Sequence, residues 1–386
     1  MKNLIIAAAL LMPAAAGAQQ NIKLGDMSLN PFISSQEQAD SNIYLTDKNV
    51  KSALINRSAI GTDLKQKFGS RLDLTGNYTF ELLSYSQKPS INNAVHNNAS
   101  LGLEGRLPGD SKVKAGYKFL STTDQATSQD TARAKRIERD AMASFEAPLK
   151  GKFGFGVNFG QTYQDYHQPS FRVLERGELT VGANVNYMLQ PKTKLFVGYT
   201  YGKLDYQQAA SQTGNATYDN FNAGITGKLT GKLVGTVSAG AQLRHLSSSI
   251  VPNHEAATLD YSAQLVYTPM EKTEVVAYAK RGNVETDYVN SHFYTSTLSN
   301  LAVTREIRKW KVGANVGVET VKYAEKVSGD YSKRFDVNNT AGLTADYNIQ
   351  KWLKASFGYT YKYRASNTAG MRYADNIGTF GLKGMF

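Results

Sequence analysis

The stretch NIGTFGLKGMF, residues 376–386, closes the chain and decides the fold. Phe380, Leu382 and Phe386 share one face of an extended segment, and small or polar residues occupy the other. The chain stops on the aromatic residue without a polar tail. This pattern is typical of the last strand of an outer-membrane barrel, where one face contacts lipid and the other a wet interior. We therefore predict that Phe380, Leu382 and Phe386 form a membrane-targeting strand.

Alternation of period two recurs along the chain, which predicts many further strands. Ten stretches alternate clearly between an apolar and a polar or small face: residues 72–82, 99–107, 113–119, 153–159, 179–187, 195–201, 221–229, 233–243, 310–318 and 355–363. Four others alternate less cleanly: residues 53–68, 137–149, 273–287 and 294–307. The clustering of tyrosines toward strand ends, as at Tyr199 and Tyr201, favours the aromatic girdles of a membrane barrel over ordinary strand propensity.

The breaks between the strands alternate in length. Eight are very short and suit hairpin turns: residues 69–70, 109–110, 150–151, 190–192, 230–231, 270–272, 308–309 and 350–351. The other breaks are longer and polar. Eight hairpins give about sixteen strands, and a first strand near residues 31–42 plus the closing strand raise the count to about eighteen. Sixteen is the alternative if one hairpin is misread.

We therefore predict an all-β fold: a transmembrane antiparallel up-and-down barrel with short periplasmic turns and longer extracellular loops. A soluble propeller is the competing repeat architecture, because one blade also takes about forty residues. Each interval here holds two long strands instead of four short ones. The continuous apolar face on successive strands would also have to be covered in a soluble protein.

The first residues predict export. Lys2 supplies a positive start, residues 4–11 a short apolar run, and residues 16–18 a small-residue cleavage signal. We assign residues 1–18 to a signal peptide, 19–30 to a periplasmic lead-in and 31–386 to the barrel. The expected location is the outer membrane of a Gram-negative bacterium, with both termini in the periplasm.

The composition sets limits on the chemistry. The chain has 386 residues, no cysteine, 33 glycines and 23 tyrosines, with a formal net charge of +12. Neither disulfides nor thiolate chemistry are available. The basic residues are dispersed along the chain, which argues against a nucleic-acid-binding arm and is compatible with anionic lipopolysaccharide.

The polar face of the predicted strands carries charges of both signs. The candidates for lining the lumen are Arg106, Lys114, Lys118, Lys228, Arg244, Lys354, Lys362, Arg364, Glu104 and Asp346. Ion pairs across the wall are one interpretation of these charges. A weakly anion-favouring channel is the other, because a ring of Lys and Arg attracts negative solutes.

No pattern in the sequence indicates an enzyme, a metal site or a cofactor. The five histidines are scattered, and none has the spacing of a metal ligand pair or a triad motif. Some outer-membrane barrels are lipases or proteases, so catalysis stays open as an alternative. The glycines of residues 154–160 alternate with apolar residues inside a strand, which excludes a phosphate-binding loop.

Several short stretches carry a family resemblance: DSNIYLT (residues 40–46), Tyr85-Ser86, LQPKTKL (residues 189–195), Tyr199 and Tyr201 with Gly202, and the tyrosine-rich strand before the end. Over residues 31–386 this layout resembles the putative beta-barrel porin 2 family of outer-membrane proteins. The resemblance implies a barrel with no catalytic motif. It also implies a place in exopolysaccharide export, since members of the family often belong to such systems.

The leading functional hypothesis is therefore a passive outer-membrane conduit for exopolysaccharide. A general diffusion porin for small solutes and a non-transporting docking or structural barrel are the alternatives. The expected partners are outer-membrane lipid and lipopolysaccharide, the barrel-assembly machinery, polysaccharide and periplasmic export components, with no nucleic acid.

Overall fold

The computed structural model of the protein describes residues 22–127, 133–208, 214–247, 255–286, 293–323 and 334–386. Nineteen strands occur in this part of the chain: β1 (Ile22–Leu24), β2 (Met27–Asp40), β3 (Ala53–Phe68), β4 (Leu72–Tyr85), β5 (Ala94–Arg106), β6 (Lys112–Thr122), β7 (Arg136–Pro148), β8 (Phe153–Tyr166), β9 (Arg176–Gln190), β10 (Thr193–Tyr206), β11 (Ala216–Lys228), β12 (Leu233–Leu246), β13 (Glu255–Met270), β14 (Thr273–Glu285), β15 (Phe293–Ile307), β16 (Trp310–Tyr323), β17 (Phe335–Asn348), β18 (Leu353–Ser366) and β19 (Tyr373–Met385).

Strands β2 to β19 form a closed antiparallel ring. Each strand pairs with the next along the chain, and β19 returns to β2 in a register running from Ile377 opposite Asp40 to Met385 opposite Phe32. The Phe386 amide adds a last bond to the Pro31 carbonyl at 2.9 Å. The predicted up-and-down barrel and its count of eighteen strands are confirmed.

The barrel begins earlier than the sequence boundary at residue 31. Strand β2 starts at Met27, and the short β1 pairs with it from Ile22 opposite Leu29 to Leu24 opposite Met27. Residues 19–30, predicted as a lead-in, thus include β1 and the start of the first barrel strand. The alternation is weak here because β2 reverses the usual pattern: the charged Glu37 shares a face with Phe380 on the outside, and the apolar Phe32 lies on the inside with Lys383. The predicted signal peptide, residues 1–18, lies outside the described residues.

Short and long connections alternate around the ring, as the sequence predicts. The eight short ones lie at one end, which we call the turn end, and include the two-residue turns at 271–272 and 308–309. The longer connections lie at the opposite loop end. A four-residue helix, α1 (Pro89–Asn92), and the 3₁₀ turn Pro169–Leu174 lie in loop-end connections. No helix in the described residues is long and apolar enough to cross a membrane.

One face of the strands is continuously apolar and exposed. Val197, Leu259 and Leu343 stand 66%, 63% and 60% exposed on three different strands. Aromatic residues lie on this face toward both ends. Trp310 contacts Tyr347 at 4.7 Å near the turn end, and Tyr163 and Tyr363 lie exposed toward the loop end. An apolar band bordered by aromatic residues is the surface that a lipid bilayer covers.

Buried side chains gather at the loop end of the barrel. Ile55, Leu83 and Tyr85 pack with Ile43 of the β2–β3 connection. A second cluster at the loop end of β15 and β16 consists of Val321, Tyr323 and Tyr294. Among the described residues, the burial is therefore greatest where the strands meet the loops.

Candidate functional site

Contacts between strands that are not neighbours identify the concave side of the wall. Lys194 of β10 reaches Glu146 of β7, although β8 and β9 lie between them. Asn220 of β11 likewise reaches Asp260 of β13 across β12. Contacts over such distances are possible only across the inside of a cylinder, so the face that carries these residues lines the lumen. The apolar face is consequently the outer one.

All ten predicted lumen residues lie on this inner face by strand register. Lys114 is paired with Glu104 at 2.6 Å, and Lys354 with Asp346 at 3.2 Å. Arg106 lies opposite Lys112 at the turn end of β5. Lys118 and Lys228 face the lumen at different heights, and Lys362 of β18 lies opposite Asp375. Their contact with a transported solute stays a prediction.

Arg244 and Arg364 belong to the layer of buried side chains at the loop end. Arg364 is fully buried, donates from Nε to Asn338 Oδ1 at 3.0 Å, and lies 4.8 Å from the Tyr373 ring centre. Arg244 is 2% exposed and lies 4.9 Å from the ring of Phe293. Cation–π contacts of this kind are strongest when both groups are desolvated. These two arginines therefore stabilise the packing at the loop end.

Two more arginines stack on aromatic rings in the same layer. Arg133 lies over Tyr85 at 4.4 Å, and Arg334 over Tyr323 at 4.8 Å. Arg334 also forms a buried ion pair with Asp336 at 2.6 Å. Together with Arg244 and Arg364, these stacks are spread around the loop end of the barrel and stiffen its mouth.

The ladder between β13 and β14 ends early. It runs only to Tyr261 opposite Arg281, whereas β13 remains paired with β12 up to Glu255. The Arg281 guanidinium donates to the Leu259 carbonyl at 3.1 Å, which supplies a partner to the separated edge of β13. The wall of the barrel is therefore split between these two strands at the loop end.

Above the split, the ends of β14 and β15 stay paired with each other and lean into the lumen. Asn283 donates to Gln242 at 2.8 Å and to Thr258 at 3.0 Å, and both of these acceptors lie on the inner face of β12 and β13. Glu285 accepts from Arg244 at 2.6 Å. By strand alternation, Asn283 and Glu285 would lie on the outer face. We call residues 282–285 and 293–296 the tucked hairpin end. Because it leans into the lumen, it narrows the mouth of the barrel at the loop end.

The middle of the lumen is lined by carboxamides, hydroxyls and glycines. One row crosses five strands in direct pairs: Gly156, Asn184, Gly198, Asn222 and Gly240. A second wall repeats the theme with Asn300 opposite Gly317 and Asn315 opposite Gly342. These residues are not among the site residues predicted from the sequence. The signal was present in the recurrence of Asn and Gly on the polar face of successive strands.

A polar network joins the inner faces of β3, β4 and β5 near the loop end. Arg57 donates two hydrogen bonds to Glu81 at 3.0 and 2.9 Å. His96, which is 5% exposed, lies 3.2 Å from Glu81 and 2.9 Å from Thr123 Oγ1. The backbone N–H of Thr123 also donates to His96 Nε2 at 3.0 Å. Arg57 and His96 both bind the Glu81 carboxylate, which ties three strands and the following loop together.

The C-terminal strand has the predicted faces. Phe380 is 44% exposed on the outer face and contacts Phe357 at 5.1 Å, and Leu382 follows it on the same side. Phe386 stacks on Trp352 at 6.4 Å at the turn end. Recognition of this strand during membrane targeting stays a prediction.

No group of three or more His, Cys, Asp or Glu residues suited to a metal ion occurs in the described ranges. The geometry instead describes a water-accessible cylinder with a split and narrowed mouth.

The comparisons with known proteins agree with this description. The family model described as Putative beta-barrel porin 2 matches residues 15–386. The chain belongs to this family, and it is an outer-membrane porin-like β-barrel. No curated protein matches the sequence.

Solved structures share the fold at very low identity. The chain is similar to OpdQ from Pseudomonas aeruginosa, with 8% identity, a TM-score of 0.50, and coverage of 94% of this chain and 100% of that one. OccK5 (OpdH) from the same organism gives 8% identity, a TM-score of 0.49, and coverage of 93% and 98%. The FrpB iron transporter from Neisseria meningitidis gives 13% and 0.45, with 87% of this chain covered. The match spans only 62% of the FrpB chain.

Proposed function

We propose that the protein is a passive outer-membrane conduit through which exopolysaccharide leaves the cell. The observation that carries this proposal is the lining of the middle lumen, where Asn side chains alternate with glycines on neighbouring strands. Carboxamides and hydroxyls both donate and accept hydrogen bonds, so they can exchange partners with the hydroxyls of a sugar chain. Conduction also requires contacts weak enough for the solute to leave.

The pairing of the lumen charges supports this function. Lys114, Lys194 and Lys354 each contact a carboxylate, as do Arg57 and Arg244 nearer the loop end. A cation that is paired with a carboxylate in the wall produces a weaker electrostatic field in the lumen than an unpaired cation does. A polymer would therefore meet many weak polar contacts.

The proposed orientation places the turn end and both termini in the periplasm and the loop end outside a Gram-negative cell. In this orientation the tucked hairpin narrows the exit. The proposed partners are lipopolysaccharide around the outer face, the barrel-assembly machinery acting on β19, and periplasmic export components at the turn end.

Gene deletion separates this proposal from a general diffusion porin. We expect loss of extracellular polysaccharide with little change in the uptake of small solutes. Loss of solute uptake with normal polysaccharide release would instead indicate a diffusion porin. If both were unchanged while the surface bound less polymer, the protein would be a docking barrel. Either of the latter results would contradict the conduit.

A further inference from the structure

We propose that the inner face of β8 to β12 is a binding subsite for a linear, uncharged glycan. This inference rests on the proposed function and names its substrate class. The subsite consists of the carboxamide row, Gly156, Asn184, Gly198, Asn222 and Gly240, together with two aromatic rings at its borders.

The row is continuous in the register of the sheet. Gly156 pairs with Asn184, Asn184 with Gly198, Gly198 with Asn222, and Asn222 with Gly240. The two carboxamides thus lie two strands apart, about 10 Å at the usual spacing of neighbouring strands. That separation is close to the length of two sugar rings in an extended chain, so successive disaccharides would meet equivalent partners.

The glycines let the carboxamides lie against the wall. A Cβ at Gly156 would be 2.9 Å from the Asn184 amide atoms, and one at Gly198 would be 2.8 Å from Asn222 Oδ1. A larger residue at either position would displace the amide. Because the neighbouring residues are glycines and have no side chains, the amide groups are accessible from the lumen.

Aromatic rings border the row on both sides. Phe196, toward the turn end, lies over Gly224, where a Cβ would meet its ring at 2.7 Å. Tyr218, toward the loop end, covers Gly202 in the same way, and its hydroxyl donates to Glu178 at 2.5 Å. Rings held flat against a wall offer a face to the C–H groups of a sugar, because the ring face is electron-rich. Amides between two ring platforms are a suitable arrangement for a pyranose chain.

The charges near the row are engaged by other groups. Lys194 contacts Glu146, and Glu178 accepts from Tyr218. Asp260, which pairs with Gly240 just beyond the end of the row, accepts from Asn220. The row itself carries no ionisable side chain. An acidic glycan would find no free cation here, so the site favours neutral sugars.

Single-channel recording tests the subsite. Purified barrel in a planar bilayer would receive cellohexaose or maltohexaose on the turn-end side, and the duration of each current block would be measured. We expect the Asn184→Ala/Asn222→Ala double variant to shorten the blocks about fivefold to tenfold, since each lost hydrogen bond weakens binding modestly. Phe196→Leu should shorten them as well, which keeps the test valid if the double variant fails to fold.

Val197→Ala is the matched control, because Val197 lies between Phe196 and Gly198 on β10 but on the outer face, where it is 66% exposed. Its block durations should equal those of the wild type. The open-channel current of this control should also equal that of the wild type. Equal block durations in the wild type, the double variant and Phe196→Leu would overturn the subsite. A hexamer of uronic acid that blocks for longer than the neutral hexamers would overturn the assignment to uncharged glycans.

These results are separable from the proposed export function. If gene deletion stops polysaccharide release while the double variant blocks like the wild type, the subsite is wrong and the conduit stands. If deletion leaves release unchanged while the double variant loses the blocks, the subsite stands and the export function is wrong.

Discussion

Arg244 of β12 and Glu285 of β14 form an ion pair at 2.6 Å across the lumen side of β13, and the two side chains are 2% and 13% exposed. The pair joins the tucked hairpin end to the barrel wall above the split. Removing one partner of a buried pair typically costs about 3–5 kcal/mol, because the other charge remains buried without compensation.

Arg244→Met should therefore release the hairpin end and enlarge the loop-end mouth. The expected result is a higher single-channel conductance and a lower denaturant midpoint than in the wild type. The control is Lys203→Met, which removes the exposed outer-face pair with Asp205, where both side chains are about half exposed. Exposed pairs contribute little to stability, because water screens them. A wild-type conductance in Arg244→Met would show that this pair does not hold the mouth.

The assignment of the outer face is tested at β17. Leu343 is 60% exposed in the apolar band, and the next residue, Thr344, faces the lumen opposite Gly313. Leu343→Arg should destabilise the barrel by about 2–4 kcal/mol, because the charge would lie in hydrocarbon. Thr344→Arg should cost much less, since it remains in water. Unfolding titrations of both variants in lipid vesicles measure the difference, and equal losses would contradict the orientation of the strand.

Gly227 occupies a position that no side chain can share. Its φ is +119°, and a Cβ there would lie 2.0 Å from the Lys192 carbonyl oxygen. Gly227→Ala should therefore cost about 1–3 kcal/mol through strain and backbone displacement. Gly231, in the following turn, has open space around it, so Gly231→Ala is the control. Equilibrium unfolding in micelles should separate the two variants, and similar midpoints would contradict the described geometry.

The terminal aromatic residue gives a prediction about assembly. Phe386 stacks on Trp352, and its amide bonds to Pro31. If the assembly machinery recognises the terminal residue, Phe386→Ala should reduce the amount of folded, heat-modifiable protein in outer membranes severalfold. Trp352→Ala, which removes the stack but keeps the terminal Phe, should reduce it much less. Equal reductions would show that the stack matters and that the terminus is not read.

The fold could be predicted from the sequence because alternation records which side of each strand meets lipid. The four stretches with weak alternation are also strands, and in two of them the irregularity has a visible physical cause. On β3, Asn56 and Ser58 lie on the outer face near the loop end, where Asn56 donates to Glu37 at 2.8 Å and Ser58 donates to Asn56 at 2.8 Å. On β14, the alternation fails because the strand leaves the wall above Arg281.

The lumen was only partly predictable. The position of Lys114 and Lys354 on the inner face follows from the alternation of period two. Their pairing with carboxylates follows from the register of the neighbouring strands. The burial of Arg244 could not be read from its strand, since it depends on Glu285 and Phe293 of a hairpin far along the chain. The split itself could not be located from the sequence, because weak alternation on β14 does not show which neighbouring strand it leaves.

Conductance of the reconstituted barrel tests the central claim most directly. The purified wild-type protein and Arg244→Met would be inserted into planar bilayers and recorded over a range of voltages. We predict discrete conductance steps for the wild type and larger steps for the variant, since polar side chains line the lumen and the tucked hairpin limits its mouth. Insertion of folded protein without conductance at any voltage, in both forms, would contradict an open lumen.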